Sequence, residues 1–143
     1  MKSETTENNF CDCLLFSVNT LSRVVTKLAD EQYATIGLSP SHAYLMQLIN
    51  NEEGICPRDL SKKMELTPST ITRLLEKLFQ KGYIEKKVDG RHSYISATAS
   101  GKSILPKIDA CTAKLHSTFE GVLGEEQSKQ LTQMVYRASQ KLQ

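Results

Sequence analysis

The sequence predicts a mainly α-helical fold carrying one small β-wing, on three observations. Helix-start and helix-stop residues punctuate the chain: Ser39-Pro40, Pro57, Thr67-Pro68 and Gly124. Proline at a first helical position forfeits only an N–H that has no partner there anyway. Between these marks, apolar residues recur at three and four, the period of a helix with one buried face. The period changes to two directly after Gly82, where Tyr83–Val88 and Arg91–Ser96 alternate about Asp89-Gly90, a dipeptide that favours a hairpin. Two capped helices, a three-residue turn between them and a hairpin behind them make a winged helix-turn-helix.

The first helix of the pair reads RDLSKKM. Leu60 and Met64 share a face, and the helix ends near Glu65. Thr67 caps the second helix through its hydroxyl and Gly82 closes it with a left-handed residue. Ile71, Leu74, Leu75 and Leu78 fall on one face of that second helix and are expected in the core. Opposite them lie Ser69, Arg73, Glu76, Lys77 and Gln80, with Thr70 and Thr72 on the flanks.

A face of short hydrogen-bonding side chains followed by cations suits base edges and phosphates, so Ser69, Thr70, Thr72, Arg73 and Lys77 are candidate contacts to double-stranded DNA. A solvated amphipathic helix is the competing reading. The hairpin decides between them, because its tip is basic. Lys86, Lys87 and Arg91 are placed to lie against phosphates or in a minor groove, Asp89 to hold Arg91 in pose, and His92 to touch phosphate.

Charge distribution agrees. The net charge is only +2, but residues 58–92 hold nine Lys/Arg against five Asp/Glu, whereas residues 1–57 hold three against seven. A basic segment in a near-neutral chain is the electrostatic footprint of a nucleic-acid binder.

The chain's 143 residues make one domain. Residues 1–9 are polar and expected to fray. Leu14, Val18, Leu21, Val25 and Leu28 then form the seam of a long first helix, broken at Ile36-Gly37-Leu38. Leu45, Leu48 and Ile49 face inward on the next helix. Beyond the wing, Ile104, Ile108, Cys111, Leu115, Phe119 and Val122 mark a second long helix, with Pro106 near its start. A last helix after Gly124 carries Leu131, Met134, Val135, Ala138 and Leu142. These end helices bear more apolar stripe than a small core absorbs, so another surface must cover them.

No apolar run spans a bilayer and the N-terminus lacks a secretory pattern, so no membrane partner and a cytoplasmic location are expected. No triad order, Gly-rich phosphate loop or metalloprotease helix is present, which argues against an enzyme and leaves no expected cofactor. Cys11, Cys13, Cys56 and Cys111 lack the spacing of a disulfide framework or a zinc site. His42, His92 and His116 stand apart in sequence. A metal-responsive site joining Cys11 or Cys13 to His42 and His116 therefore has no support from spacing.

The segment from Cys56 to Thr98 resembles the MarR family of bacterial winged helix-turn-helix regulators. That family's wing carries Asp-x-Arg, then Leu-Thr, then a helix with an early Gly. Here stand Asp89-Gly90-Arg91, Ala97-Thr98 and Gly101, and Leu38-Ser39 opens the second helix in the family manner. Ala97 replaces the family's Leu, and the wing tip between Lys87 and Asp89 is short.

The resemblance implies a transcriptional regulator, in most cases a repressor, with a winged lobe over 40–98 and dimerisation helices over 10–36 and 99–142. It implies a homodimer on a pseudo-palindromic operator, with two recognition helices about one duplex turn apart. It also implies release by a small aromatic or acidic effector, for which Arg23, His42 and Tyr44 are candidate pocket residues, or by thiol oxidation. For oxidation, Cys11 and Cys13 are the candidate reactive thiols and Cys111 the resolving one. The alternative to a DNA-binding regulator is a winged-helix module that binds proteins instead.

Overall fold

The structure, a computed structural model, describes residues 10–143; the segment expected to fray, 1–9, lies outside the described residues. Helices α1 (Leu14–Ala34), α2 (Pro40–Asn51), α3 (Pro57–Met64) and α4 (Pro68–Gln80) precede strands β1 (Ile84–Asp89) and β2 (His92–Ala97). Helices α5 (Ala99–Leu123) and α6 (Glu125–Leu142) follow. The starts are those the sequence marks. Ser39 Oγ accepts from the His42 backbone N–H at 3.3 Å, and Thr67 Oγ1 from that of Thr70 at 3.4 Å, each satisfying a first-turn donor. Helix α1 begins later than expected, since Cys13 is its N-cap and Cys11 lies in the preceding turn.

Helix α3 stops at Glu65, whose φ of 54° is left-handed, a conformation that costs a side-chain-bearing residue about 1 kcal/mol. Local bonds hold it: the Leu66 N–H reaches the Ser61 carbonyl at 3.2 Å, and Ser61 Oγ donates to the Leu66 carbonyl at 2.5 Å. That turn aims α4 away from α3. Exposed Gln140 and Gln143, at the end of α6, also donate to Glu65 Oε1 at 3.4 and 3.2 Å.

The strands pair antiparallel from Ile84↔Ala97 to Asp89↔His92, which leaves Gly90-Arg91 as the loop. The turn therefore sits one residue later than Asp89-Gly90 suggests. Gly90 has φ 62° and Arg91 is not among the positive-φ residues, the sign pattern of a type II′ turn with Gly first. A segment that no local pattern announced joins the sheet. Ile55 bridges Ile95, whose N–H donates to the Ile55 carbonyl at 2.9 Å, while the Gly54 N–H donates to the Ile95 carbonyl at 2.9 Å.

One core gathers Leu45, Met46 and Ile49 of α2, Leu60 of α3, Ile71, Leu75 and Leu78 of α4, and Ile84, Ile95 and Ala97 at the base of the wing. Ile104, Ile108, Cys111 and Leu115 of α5 close it, and from α1 only Ala29 and Tyr33 are buried in it. Tyr33 Oη is bonded to Thr112 Oγ1 at 2.7 Å, tying α1 to α5. Two expectations for α5 need correction. Pro106 is its eighth residue, not one of its first turn, because Thr98 caps the helix early; the Lys102 carbonyl thereby loses its i+4 donor. Val122 is 80% exposed, since the core-facing stripe turns away from the lobe beyond Phe119.

The N-terminal half of α1 and all of α6 stand clear of this core, and α6 has no buried residue. Val18, Leu21 and Val25 face Phe119, Leu131 and Val135 across an apolar groove of about 550 Å³. Among the described residues no helix is long and apolar enough to cross a membrane.

Where α5 passes the wing it does so at Gly101. A Cβ there would stand 2.0 Å from the Tyr83 carbonyl oxygen and 3.0 Å from Met46 Cε. Because the nearest obstacle is backbone, Gly101→Ala is expected to cost about 2 kcal/mol or more and to lower Tm by roughly 5–10 °C, read by thermal unfolding. An unchanged Tm would mean that α5 packs differently.

Candidate nucleic-acid interface

With Ile71, Leu75 and Leu78 buried in the core, the helical period turns Ser69, Thr72, Arg73, Glu76, Lys77 and Gln80 outward, and all six are exposed. The hydroxyls at the start of α4 also serve the cap. Thr67 Oγ1 lies 2.9 Å from Thr70 Oγ1 and 3.3 Å from Ser69 Oγ, and Thr72 Oγ1 donates to the Pro68 carbonyl at 3.0 Å. A hydroxyl keeps acceptor capacity while it donates, so Ser69 and Thr72 remain competent toward a base edge. Thr70 is half-buried, and Arg73 is the long, fully ionised member of the face.

Sequence reasoning missed a contribution from α3. Arg58 and Lys62, one turn apart, line a cleft of about 360 Å³ with Ser61, Pro68 and Thr72, so two further cations flank the exposed start of α4. Their i, i+4 spacing was visible, but only the packing of α3 on α4 shows which way that face turns.

The ladder sorts the wing into two faces, because directly paired residues lie on the same side. Lys86 shares a face with Ile95, and Lys87 with Tyr94, the pairs alternating along the register. The two lysines therefore point to opposite faces. His92 and Tyr94 stand together on the Lys87 face with ring centroids 6.3 Å apart. The expectation that Asp89 holds Arg91 is not met. Asp89 pairs with His92 across the ladder and Arg91 occupies the loop, and among the described residues the ion pairs are Lys63–Glu52 at 3.4 Å and Lys102–Glu53 at 3.2 Å. The hairpin register, one residue off the predicted one, is the reason.

The candidate effector and redox residues have the following surroundings. Arg23 donates to Thr20 Oγ1 at 3.3 Å on its own helix. His42 Nδ1 lies 2.5 Å from Ser39 Oγ at the start of α2; burial first, then the charges of Lys77 and Lys81, hold its imidazole below the ordinary value. Burial, then Tyr33, pushes the Tyr44 phenol up. Cys11 and Cys13 are exposed, whereas Cys111 is buried with its Sγ 3.7 Å from both Thr35 Oγ1 and the Gln32 carbonyl. Cys13 and Gln32 lie at opposite ends of α1, about 28 Å apart at 1.5 Å per residue, so Cys111 cannot bond to Cys13 within one chain. Among the described residues no three His, Cys, Asp or Glu side chains gather as a metal site.

Residues 38–90 match the model of the MarR family. The HTH-type transcriptional regulator SarZ of Staphylococcus haemolyticus is 34% identical over 79 residues, covering 53% of this chain and 54% of its own length; the chain thus spans about half of that relative. An HTH-type transcriptional regulator of Bacillus cereus is 27% identical over 110 residues, 76% of this chain and 75% of its own. The riboflavin kinase of Pyrococcus abyssi matches over only 37% of the enzyme. Among solved structures, the MepR–DNA complex of S. aureus superposes with TM-score 0.80 at 20% identity, covering 91% of this chain and 98% of that one. The regulator SlyA superposes with TM-score 0.77 at 17% identity, covering 91% and 94%. These likenesses show a shared winged-helix fold.

Gly90 is the residue whose backbone sets the wing tip. Gly90→Ala is expected to destabilise by about 1 kcal/mol, and Asp89→Ala, which breaks no ion pair, by about 0.5 kcal/mol or less. Denaturant unfolding reads both variants, and Asp89→Val tests the register: a strand residue tolerates a β-branched side chain, whereas a loss of more than about 1 kcal/mol would place Asp89 at a positive-φ turn position and restore Asp89-Gly90 as the turn.

Proposed function

We propose that the chain is a MarR-family protein, not an enzyme, and acts as a sequence-specific DNA-binding transcriptional regulator, a reading supported by the family match over residues 38–90 and by the regulators it resembles. In this reading it represses from the cytoplasm by gripping a pseudo-palindromic operator as a homodimer. One observation carries the proposal: the exposed face of α4, with Ser69, Thr72 and Arg73, and a basic wing tip with Lys86, Lys87 and Arg91 are built on the same rigid core. A helix end for the major groove and a cationic hairpin for the backbone or minor groove are the two parts such docking needs. That a protein of the same fold was solved with DNA supports this use of the surface.

The unpartnered end helices support the homodimer. Leu14 is 67% and Met134 68% exposed, and the α1–α5–α6 groove is lined by apolar side chains, a surface a second copy would cover. Release of DNA is assigned to a small aromatic or acidic effector near Arg23, His42 and Tyr44, or to oxidation of the exposed thiols Cys11 and Cys13. A disulfide partner for these would come from the second chain, because Cys111 lies too far away in the same one.

Binding to a randomised duplex pool, titrated with salt, tests the reading. Affinity should fall steeply with salt, and Arg91→Ala should weaken binding at least tenfold. Thr70→Ala and Arg73→Ala should each relax preference at particular base pairs by roughly 1–3 kcal/mol. Salt-independent binding, or no binding, would favour the protein-interaction module. In the same preparation Leu131→Glu is expected to turn a sedimenting dimer into monomer; a monomeric wild type would refute the twofold arrangement.

A further inference from the structure

Away from the wing, the end of α4 brings two lysines against the turn between α1 and α2 and the histidine at the start of α2. Lys77 and Lys81 stand one turn apart near the end of α4, both exposed. Lys81 Nζ reaches back over the turn between α1 and α2, 3.9 Å from where a Cβ on Gly37 would stand. His42, in the first turn of α2, feels both ammonium groups. Ser39 holds the imidazole by Nδ1 at 2.5 Å, which leaves Nε2 as the ring nitrogen for another partner.

Among the described residues neither lysine is in an ion pair, the two pairs being Lys63–Glu52 and Lys102–Glu53. A carboxylate close to His42 would have raised its pKa, and none is among the causes acting on it. The two ammonium groups, one turn apart on α4, repel each other, and an oxyanion between them turns that repulsion into charge-assisted hydrogen bonds and favours protonation of the neighbouring imidazole.

We propose that Lys77, Lys81 and His42 form an oxyanion site of the phosphate class, occupied in the DNA complex by a backbone phosphate at the far rim of the groove that α4 enters. The assignment of the occupant rests on the regulator reading above. Ser69, Arg73, Lys77 and Lys81 form a row of i, i+4 steps, each rising about 6 Å and drifting about 40° around α4. Lys81 is thus about 18 Å beyond Ser69 along the axis, more than the roughly 12 Å width of a major groove, and turned about 120° from it, off the base-facing side. With the start of α4 at the base edges, the end of the row arrives where phosphates are. Free phosphate is the other source of the same chemistry.

The test uses the full chain, its Lys77→Gln/Lys81→Gln variant and His42→Gln, with thermal melts to confirm that each folds. Two readouts separate the sources: the salt slope of duplex binding, and the ring resonances of His42 with duplex or with millimolar inorganic phosphate alone. The double variant is expected to bind duplex roughly tenfold more weakly and to flatten the slope by about one per lysine lost. In the wild type, duplex should move the His42 ring resonances and raise its pKa; in the double variant it should not. His42→Gln should weaken duplex binding below the pH at which the bound imidazole titrates.

An unchanged slope, with His42 responding to inorganic phosphate in the wild type but not in the double variant, keeps the site and assigns it to free phosphate. No response in either arm overturns the proposal. Should the wild type bind no duplex, the regulator reading fails by itself and the phosphate arm still decides the site.

Discussion

Thr98 holds three segments with one side chain and one N–H. Its Oγ1 donates to the Gly82 carbonyl at 2.6 Å and accepts from the Gly101 N–H at 3.0 Å, while its backbone N–H donates to the Tyr83 carbonyl at 3.0 Å. The exit of α4, the closing end of the hairpin and the first turn of α5 are thereby fixed to one another within a few residues. Gly101 makes the arrangement sterically possible, since any side chain there would occupy the space of the Tyr83 carbonyl. The angle between α4 and the wing, on which docking to a duplex depends, follows from this junction more than from the hairpin itself.

The features legible in the sequence are those with short-range causes. Ser39 and Thr67 cap because a hydroxyl reaches an N–H three residues on, and the apolar period of α4 places Ile71, Leu75 and Leu78 inside whatever else the chain does. The alternation after Gly82 announces the hairpin. What was missed depends on partners distant in sequence. Ile55 bridges Ile95 across forty positions, Gln140 and Gln143 reach Glu65 from the end of α6, and Cys111 is buried by the far end of α1.

The candidate site divides along the same line. Exposure of Ser69, Thr72 and Arg73 follows from a helix period and was readable, as was a basic wing tip. The sorting of Lys86 and Lys87 to opposite faces needed the register, and Asp89 changed partner when that register moved by one. Arg58 and Lys62 entered only through the packing of α3 on α4. Arg23, His42 and Tyr44 were grouped by resemblance; Arg23 and His42 each bond a residue three positions away, and Tyr44 lies half-buried near Tyr33.

The end of α6 touches Glu65 in the turn that aims α4. Helix α6 runs 18 residues from Gly124, about 27 Å at 1.5 Å per residue. A tilt of a single degree at Gly124 therefore displaces the tip by about 0.5 Å, enough to take a hydrogen bond of 3.2–3.4 Å beyond bonding distance. The length of α6 thus acts as a lever arm: the seating of its first turns against α1 and α5 sets whether its last residues reach the side chain of Glu65, beside the start of α4.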